Sequence, residues 1–258
     1  WRSRHIMIGI DEALLTQWLS PILWPFLRIL AVFSVAPVFS SRAFPLRAKI
    51  GLAFFIALAV QASLPEAPRV GVNDKESAGV AVEQVLVGVS IGFAVRLIFA
   101  SMELAGEVVG FQMGLNFAAF FDPTINSQSS AMGRFFSQMS LLLFIVTNAH
   151  LLVIGAFVSS FRAFPIGKPL LLTLSQMQLY QLGADIFSSG FWIALPVVGM
   201  LLFTNLALGV ISRVAPQMNI FAVGFPITLV VGILGVALML PTLEQPFAAL
   251  VAKMLERF

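Results

Sequence analysis

Arg28 stands in the middle of an apolar window, between Pro25 and Pro37. An unpaired cation there costs about 2.5 to 3.5 kcal/mol on insertion scales. It must face protein or water, either as a charge on a gate or substrate path or as a structural partner to a carboxylate on another helix or subunit. Farther along, Arg96, Glu103 and Glu107 fall at i, i+7 and i+11, a spacing that puts all three on one helical face. Two chemistries fit that face: a proton relay through Glu103 or Glu107, or a polar seam in a packed assembly. Gly106, Gly110 and Gly114 repeat every four residues beside it, as Gly88 and Gly92 do earlier. Small residues at that interval let helix backbones approach closely inside a membrane.

The stretch GFQMGLNFAAFFDP, Gly110 to Pro123, joins glycines, Met113 and four phenylalanines to Asp122-Pro123. The residue before a proline is pushed out of the α region, so a helix is expected to end there. Such a segment either fills a pore with deformable apolar mass or is a lipid-facing helix. VAPQMNIFAVGFP, Val214 to Pro226, sets Pro216, Asn219, Gly224 and Pro226 inside a charge-free apolar zone, and a continuous helix through them is not expected. Gln217 and Asn219 are placed to satisfy the freed backbone. Broken helices mark ion sites in transporters and equally mark hairpins in assemblies.

Catalytic constellations are missing. His150 is the only histidine beyond the first six residues, so no metal-binding histidine pair and no H-E-x-x-H can form. Following Asn148 at an apolar helix end, it reads as a packed or interfacial residue. There is no G-x-S-x-G elbow and no P-loop, and Gly183-Ala184-Asp185 lacks the second acid an intramembrane aspartyl mechanism requires. With no cysteine in the chain, disulfides, thiolate catalysis and Cys-ligated metals are excluded. The reading is of no enzyme, no metal and no cofactor.

The elements that position these residues follow from composition. Of 258 residues, 59% are hydrophobic and only 10% charged, with a mean hydropathy of +0.97; soluble domains hold about a quarter charged residues. Too little charge remains to cover a watery surface, and 25 Phe exclude soluble enzymes, nucleic-acid binders and disordered scaffolds. The pI near 9.8 reflects a formal charge of only +3, without a basic patch. The chain reads as an all-α polytopic membrane protein.

A span needs about 20 apolar residues. Phe135 to Phe161, Ile186 to Ser212 and Val214 to Leu243 meet that need, and Ala13 to Phe39, Phe44 to Leu64 and Val80 to about Phe121 are weaker candidates, giving about six apolar segments. Pro65 to Ser77 reads as a solvated loop. Residues 7–258 are expected to form one membrane domain, with Met7 the true start and residues 1–6 a leading extension, because no A-x-A-like cleavage site follows. If all six segments cross, Lys and Arg divide eight against five between the two faces. That bias barely orients the chain, and segments with central charges and prolines fit bent hairpins resting on neighbouring subunits.

Two motifs then identify a resemblance. E-x-x-G-x-x-x-G-x-Q-M-G occupies Glu103 to Gly114 with Asp122-Pro123 close behind, and A-P-Q-M-N-I-F-x-x-G-F-P occupies Ala215 to Pro226. SSRAFPLRAK at Ser40 to Lys49 and FPIGKP at Phe164 to Pro169 support them. Over essentially Met7 to Phe258 the chain resembles the FliR family of export-apparatus membrane subunits, flagellar and injectisome. GFPITL lacks the lysine expected soon after its proline in many injectisome members, which favours the flagellar branch.

The resemblance implies an export gate: a subunit that joins the companion membrane subunits FliP and FliQ in a helical, closed assembly, the entry channel of type III secretion, with FlhB at the cytoplasmic side. It implies a bacterial inner-membrane location in the flagellar basal body, unfolded flagellar substrates, energy from the proton-motive force and a separate ATPase, and no nucleic acid. It also implies that the segment from Gly110 to Phe121, Gly110, Met113 and Gly114 included, plugs the closed channel, with Phe117 and Phe120 the aromatic candidates for the seal. Phe121 is an additional aromatic that could displace the seal by one residue. Arg28, Arg96, Glu103 and Glu107 are then assembly charges first. The competing class, a small proton-coupled secondary transporter, predicts a pseudo-repeat between halves, and none is found; an intramembrane enzyme is a distant third.

Overall fold

The computed structural model describes residues 12–41, 44–61, 71, 74–115, 130–167, 178–217, 220–256 and 258. Among them every regular element is helical: α1 (Glu12–Val35), α2 (Pro37–Ser40), α3 (Leu46–Gln61), α4 (Ser77–Gln112), α5 (Ala131–Val146), α6 (Ala149–Ala163), α7 (Leu179–Val214), α8 (Ile220–Met239), a 3₁₀ turn (Leu240–Thr242) and α9 (Glu244–Leu255). In an apolar medium each backbone N–H and C=O must be paired within the protein, and a helix pairs them within one segment. Prolines are tolerated on those terms, with Pro21 and Pro25 inside α1, Pro196 inside α7 and Pro226 inside α8.

Among the described residues four helices are long and apolar enough to cross a membrane, within Trp18–Val35, Ser77–Gln112, Tyr180–Val214 and Ala222–Thr242, and the α5–α6 pair would make a fifth. Six was therefore only approximate. The segment expected from Phe44 to Leu64 forms α3, whose 16 residues reach about 24 Å against roughly 30 Å of hydrocarbon. The segment expected from Phe135 to Phe161 is bent by 71° between α5 and α6. At that corner the Thr147 N–H and Oγ1 both donate to the Leu143 carbonyl, and Asn148 turns the chain with φ 54°.

Two helix ends also differ from expectation. The third apolar segment was expected to run to about Phe121 and stop at Asp122-Pro123, but α4 ends at Gln112. Gly114, at φ 78°, takes the left-handed position that ends a helix; its N–H donates to Phe111 O and the Leu115 N–H donates to Gly110 O, so the last carbonyls are capped. The expected break at Val214 to Pro226 is shorter than proposed. α7 ends at Val214 and Pro216 and Gln217 form a turn, but Gly224 and Pro226 lie within continuous α8. One proline costs a helix a single hydrogen bond, which an otherwise apolar helix supported by its neighbours can absorb.

The chain divides into two compact units. The first comprises residues 1–93, 155–177 and Phe258; the second comprises residues 94–154 and 178–257. In the first, α1 packs on α3, with Trp24, Ile29, Val32, Ala53 and Ala57 buried. In the second, α7 packs on α8, and α9 packs on α5 and α7. Phe247, Val251, Met254 and Leu255 of α9 are buried, while Lys253 pairs with Asp185 of α7 at 2.8 Å.

Candidate functional site

In the first unit, Arg28 is completely buried. Its Nε donates to Gln84 Oε1 at 2.8 Å, one terminal nitrogen donates to Ser160 Oγ at 3.0 Å, and the other donates to the Phe164 carbonyl at 2.9 Å. The guanidinium also lies 4.0 Å from the centre of the Phe161 ring. Three neutral acceptors and a ring face thus share one cation, a use of the planar donor fork that lysine cannot reproduce. Glu83, buried beside Gln84 on α4, accepts the Gly167 N–H at 3.1 Å. Arg28 and Glu83 therefore grip the turn 164–167 by its two kinds of backbone group: the cation takes a carbonyl and the carboxylate takes an amide.

α1 reaches this part of α4 through glycine. A Cβ on Gly88 would collide with the Arg28 carbonyl and lie 2.7 Å from Ala31 Cβ, and one on Gly92 would lie 2.9 Å from Val32 O. The spacing Gly88, Gly92 is the channel along which the α1 backbone lies, as small residues allow.

In the second unit, the C-terminal half of α4 meets the start of α5. Gly106 lies under the Met132 carbonyl, where a Cβ would approach to 2.5 Å. Gly110 faces Ser130 Oγ and Met132 Cβ, at 3.1 and 3.2 Å from its own ideal Cβ. Ser130 caps α5, its Oγ accepting the Gly133 N–H at 3.0 Å. The Ser130 N–H in turn donates to Glu107 Oε1 at 2.6 Å, and the Glu107 carboxylate occupies the space a side chain on Gly133 would need.

The same end of α4 is seated on α8. Met113 is fully buried, and a Cβ on Gly232 would collide with its Cγ. Thr228 Oγ1 donates to the Met113 carbonyl at 3.3 Å. The segment E-x-x-G-x-x-x-G-x-Q-M-G thus touches the helix that carries G-F-P, through Thr228 and Gly232, two and six residues beyond Pro226. An open cleft of about 400 Å³ lies nearby, lined by Glu107, Val108, Phe111, Gln112 and Phe191.

The other expected residues are distributed as follows. Arg96 is exposed and Glu103 half-buried on α4. Although the three charges share a face, Arg96 and Glu103 are seven residues apart in sequence, about 10 Å along the axis, and Glu107 is engaged by Ser130 instead. Pro216 and Gln217 are exposed in the turn after α7; Gly224 is buried and Pro226 exposed within α8. Asn219, Phe117, Phe120, Phe121 and Asp122-Pro123 lie outside the described residues. His150 is half-buried on α6. Among the described residues no group of three or more His, Cys, Asp or Glu is arranged to hold a metal ion.

Sequence reasoning missed Glu83, Gln84, Ser160, Ser130, Gly133, Thr228 and Gly232. Glu83 was open to discovery, being a carboxylate nearly two turns into an apolar helix. Ser130 carries the signal of a cap residue directly before an apolar run. The remainder are small or neutral residues whose role depends on partners distant in the chain.

Residues 19–254 match the family described as bacterial export proteins, family 1. The flagellar biosynthetic protein FliR of Escherichia coli (strain K12) is 41% identical over 241 residues, 93% of this chain and 92% of that one. Its counterpart of the same name in Pectobacterium carotovorum subsp. carotovorum is 44% identical over 247 residues, 94% and 92% of the two chains. That of Bacillus subtilis (strain 168) is 31% identical over 209 residues, 80% of each.

Proposed function

The chain belongs to the bacterial export proteins, family 1, and on that premise we propose how it serves as a subunit of the flagellar type III export apparatus. Its part is structural and gating rather than catalytic. Residues 7–258 act as one membrane domain that contributes a strip of a closed pore for unfolded flagellar substrates. FliP and FliQ complete the channel, FlhB meets it at the cytoplasmic side, and the whole sits in the inner membrane within the flagellar basal body.

The observation that supports the assembly is α7. Its apolar stretch, Tyr180–Val214, holds 35 residues, and only 22% of an 18-residue apolar window within it is buried, whereas 67% of the corresponding α4 window is covered. Trp192, Phe203 and Val214 are 73%, 76% and 81% exposed. A helix of that length reaches about 52 Å, and hydrocarbon covers only about 30 Å. Upright in a bilayer, some fifteen residues' length of apolar helix stands outside it, and exposed apolar surface of that size calls for protein partners.

The gating half rests on the segment that follows α4, with Gly110, Met113 and Gly114 at its base and Phe117, Phe120 and Phe121 as the sealing aromatics. A hydrophobic constriction stops ions by dewetting yet yields to a flexible polypeptide. The test is ion leak and substrate export in cells carrying Phe117→Ala with Phe120→Ala. Leak with the complex still assembled is expected; unchanged leak and export would sink the plug.

A further inference from the structure

Helix α5 has an incomplete N-terminal cap of its own. In a capping box the N-cap serine binds the N3 amide while a glutamate or glutamine at N3 reaches back to the N-cap amide. Ser130 performs the first half, accepting from Gly133 at N3. The second half is impossible locally, because N3 is glycine. Glu107, 23 residues earlier on α4, supplies it: its Oε1 accepts the Ser130 N–H at 2.6 Å, in the volume a Gly133 side chain would fill. A carboxylate at this position also meets the positive end of the α5 dipole.

We infer that Glu107 is a positioning residue that completes the α5 cap from α4 and thereby holds the two helix ends together. Those ends, at Gln112 and Ser130, anchor the chain that carries Phe117, Phe120 and Phe121, so the inference rests on the plug reading above. Gly106 and Gly110 bring the α4 backbone near enough for the carboxylate to reach, and Gly133 leaves the space for it. The glycine repeat is on this account the housing of one charge-assisted hydrogen bond rather than only a surface for partner subunits. The bond needs an acceptor at residue 107 and a donor at residue 130, and the two ends can be tested separately.

The experiment is hydrogen exchange of residues 130–136 together with ion leak, on the complex purified with its companion subunits. Glu107→Ala should speed exchange at this helix start about tenfold, the factor lost with one hydrogen bond to a charged group, and should raise leak. Glu107→Gln keeps an acceptor oxygen and should restore most of both. Ser130→Pro removes the donor at a φ of −64° that proline adopts; Ser130→Ala removes only the hydroxyl. Proline should exceed alanine in both readouts, and this pair decides the matter if Glu107→Ala fails to assemble. Unchanged exchange in Glu107→Ala, or equal effects of the two Ser130 variants, would overturn the inference. Faster exchange without leak would also overturn it if Phe117→Ala with Phe120→Ala leaks. If neither set leaks, the plug reading itself is what fails.

Discussion

Met113 and Gly232 form a knob and its socket: the methionine side chain is fully buried over a glycine whose Cα has no room for a Cβ. With Thr228 donating to the Met113 carbonyl, this contact seats the end of α4 on α8. It joins the first diagnostic stretch to the helix that carries the G-F-P of the second.

Gly232→Val should therefore destabilise the protein by about 1 to 3 kcal/mol through overpacking. Gly232→Ala should cost less, because it forces one carbon into the contact rather than three. Met113→Ala combined with Gly232→Val should recover part of the loss. Heating the detergent-extracted complex and measuring what stays soluble gives the double-mutant cycle; strict additivity would show that the two residues do not couple.

Arg28→Lys should lower stability by about 2 to 4 kcal/mol, since the ammonium cannot serve Gln84, Ser160 and Phe164 in three directions. Arg28→Met should be at least as costly, leaving buried acceptors unsatisfied. Accumulation of the chain in membranes is the readout. A methionine variant that accumulates normally and assembles, yet does not export, would reassign Arg28 to the substrate path.

The corner between α5 and α6 depends on Asn148, at φ 54°. Asn148→Gly should be neutral, whereas Asn148→Val should cost about 1 to 2 kcal/mol because a β-branched residue resists that region. Melting of the two purified variants distinguishes a corner built on backbone conformation from one built on the asparagine side chain, which would suffer equally from both changes.

At the C-terminal helix, packing should outweigh charge. Lys253 is half exposed, so Lys253→Ala should change stability by less than about 1 kcal/mol. Phe247→Ala, at a fully buried position, should cost about 3 to 5 kcal/mol. The reverse order in a thermal melt would mean that Asp185 needs its partner more than α9 needs its core.

Much of this architecture is legible in the sequence. Charge-free runs disclosed the apolar helices, and Gly106 and Gly110 disclosed a close crossing. The end of α4 was misplaced because Asp122-Pro123 is the louder stop signal, although Gly114 stops the helix earlier through a left-handed turn. The α5–α6 corner escaped because Thr147 and Asn148 hardly interrupt the hydropathy of the run around them. Proline rules suggested too long a break, and Pro226 proved compatible with α8. The amphipathic order of Phe247, Leu250, Val251, Met254 and Leu255 was present in the sequence but overshadowed by the apolar run before it. Arg28 stands out in its apolar window, yet Gln84 and Ser160 lie 56 and 132 residues away. A single sequence has no rule that pairs a guanidinium with neutral acceptors at such separations.

The most direct test of the central claim is the native mass of the tagged chain in mild detergent, expressed alone and then with FliP and FliQ. A stable hetero-complex is expected that forms only on co-expression and in which the exposed apolar face of α7 becomes covered. A monodisperse particle of the same mass in both preparations would contradict it, and would make Arg28 and Glu103 the residues to test for transport.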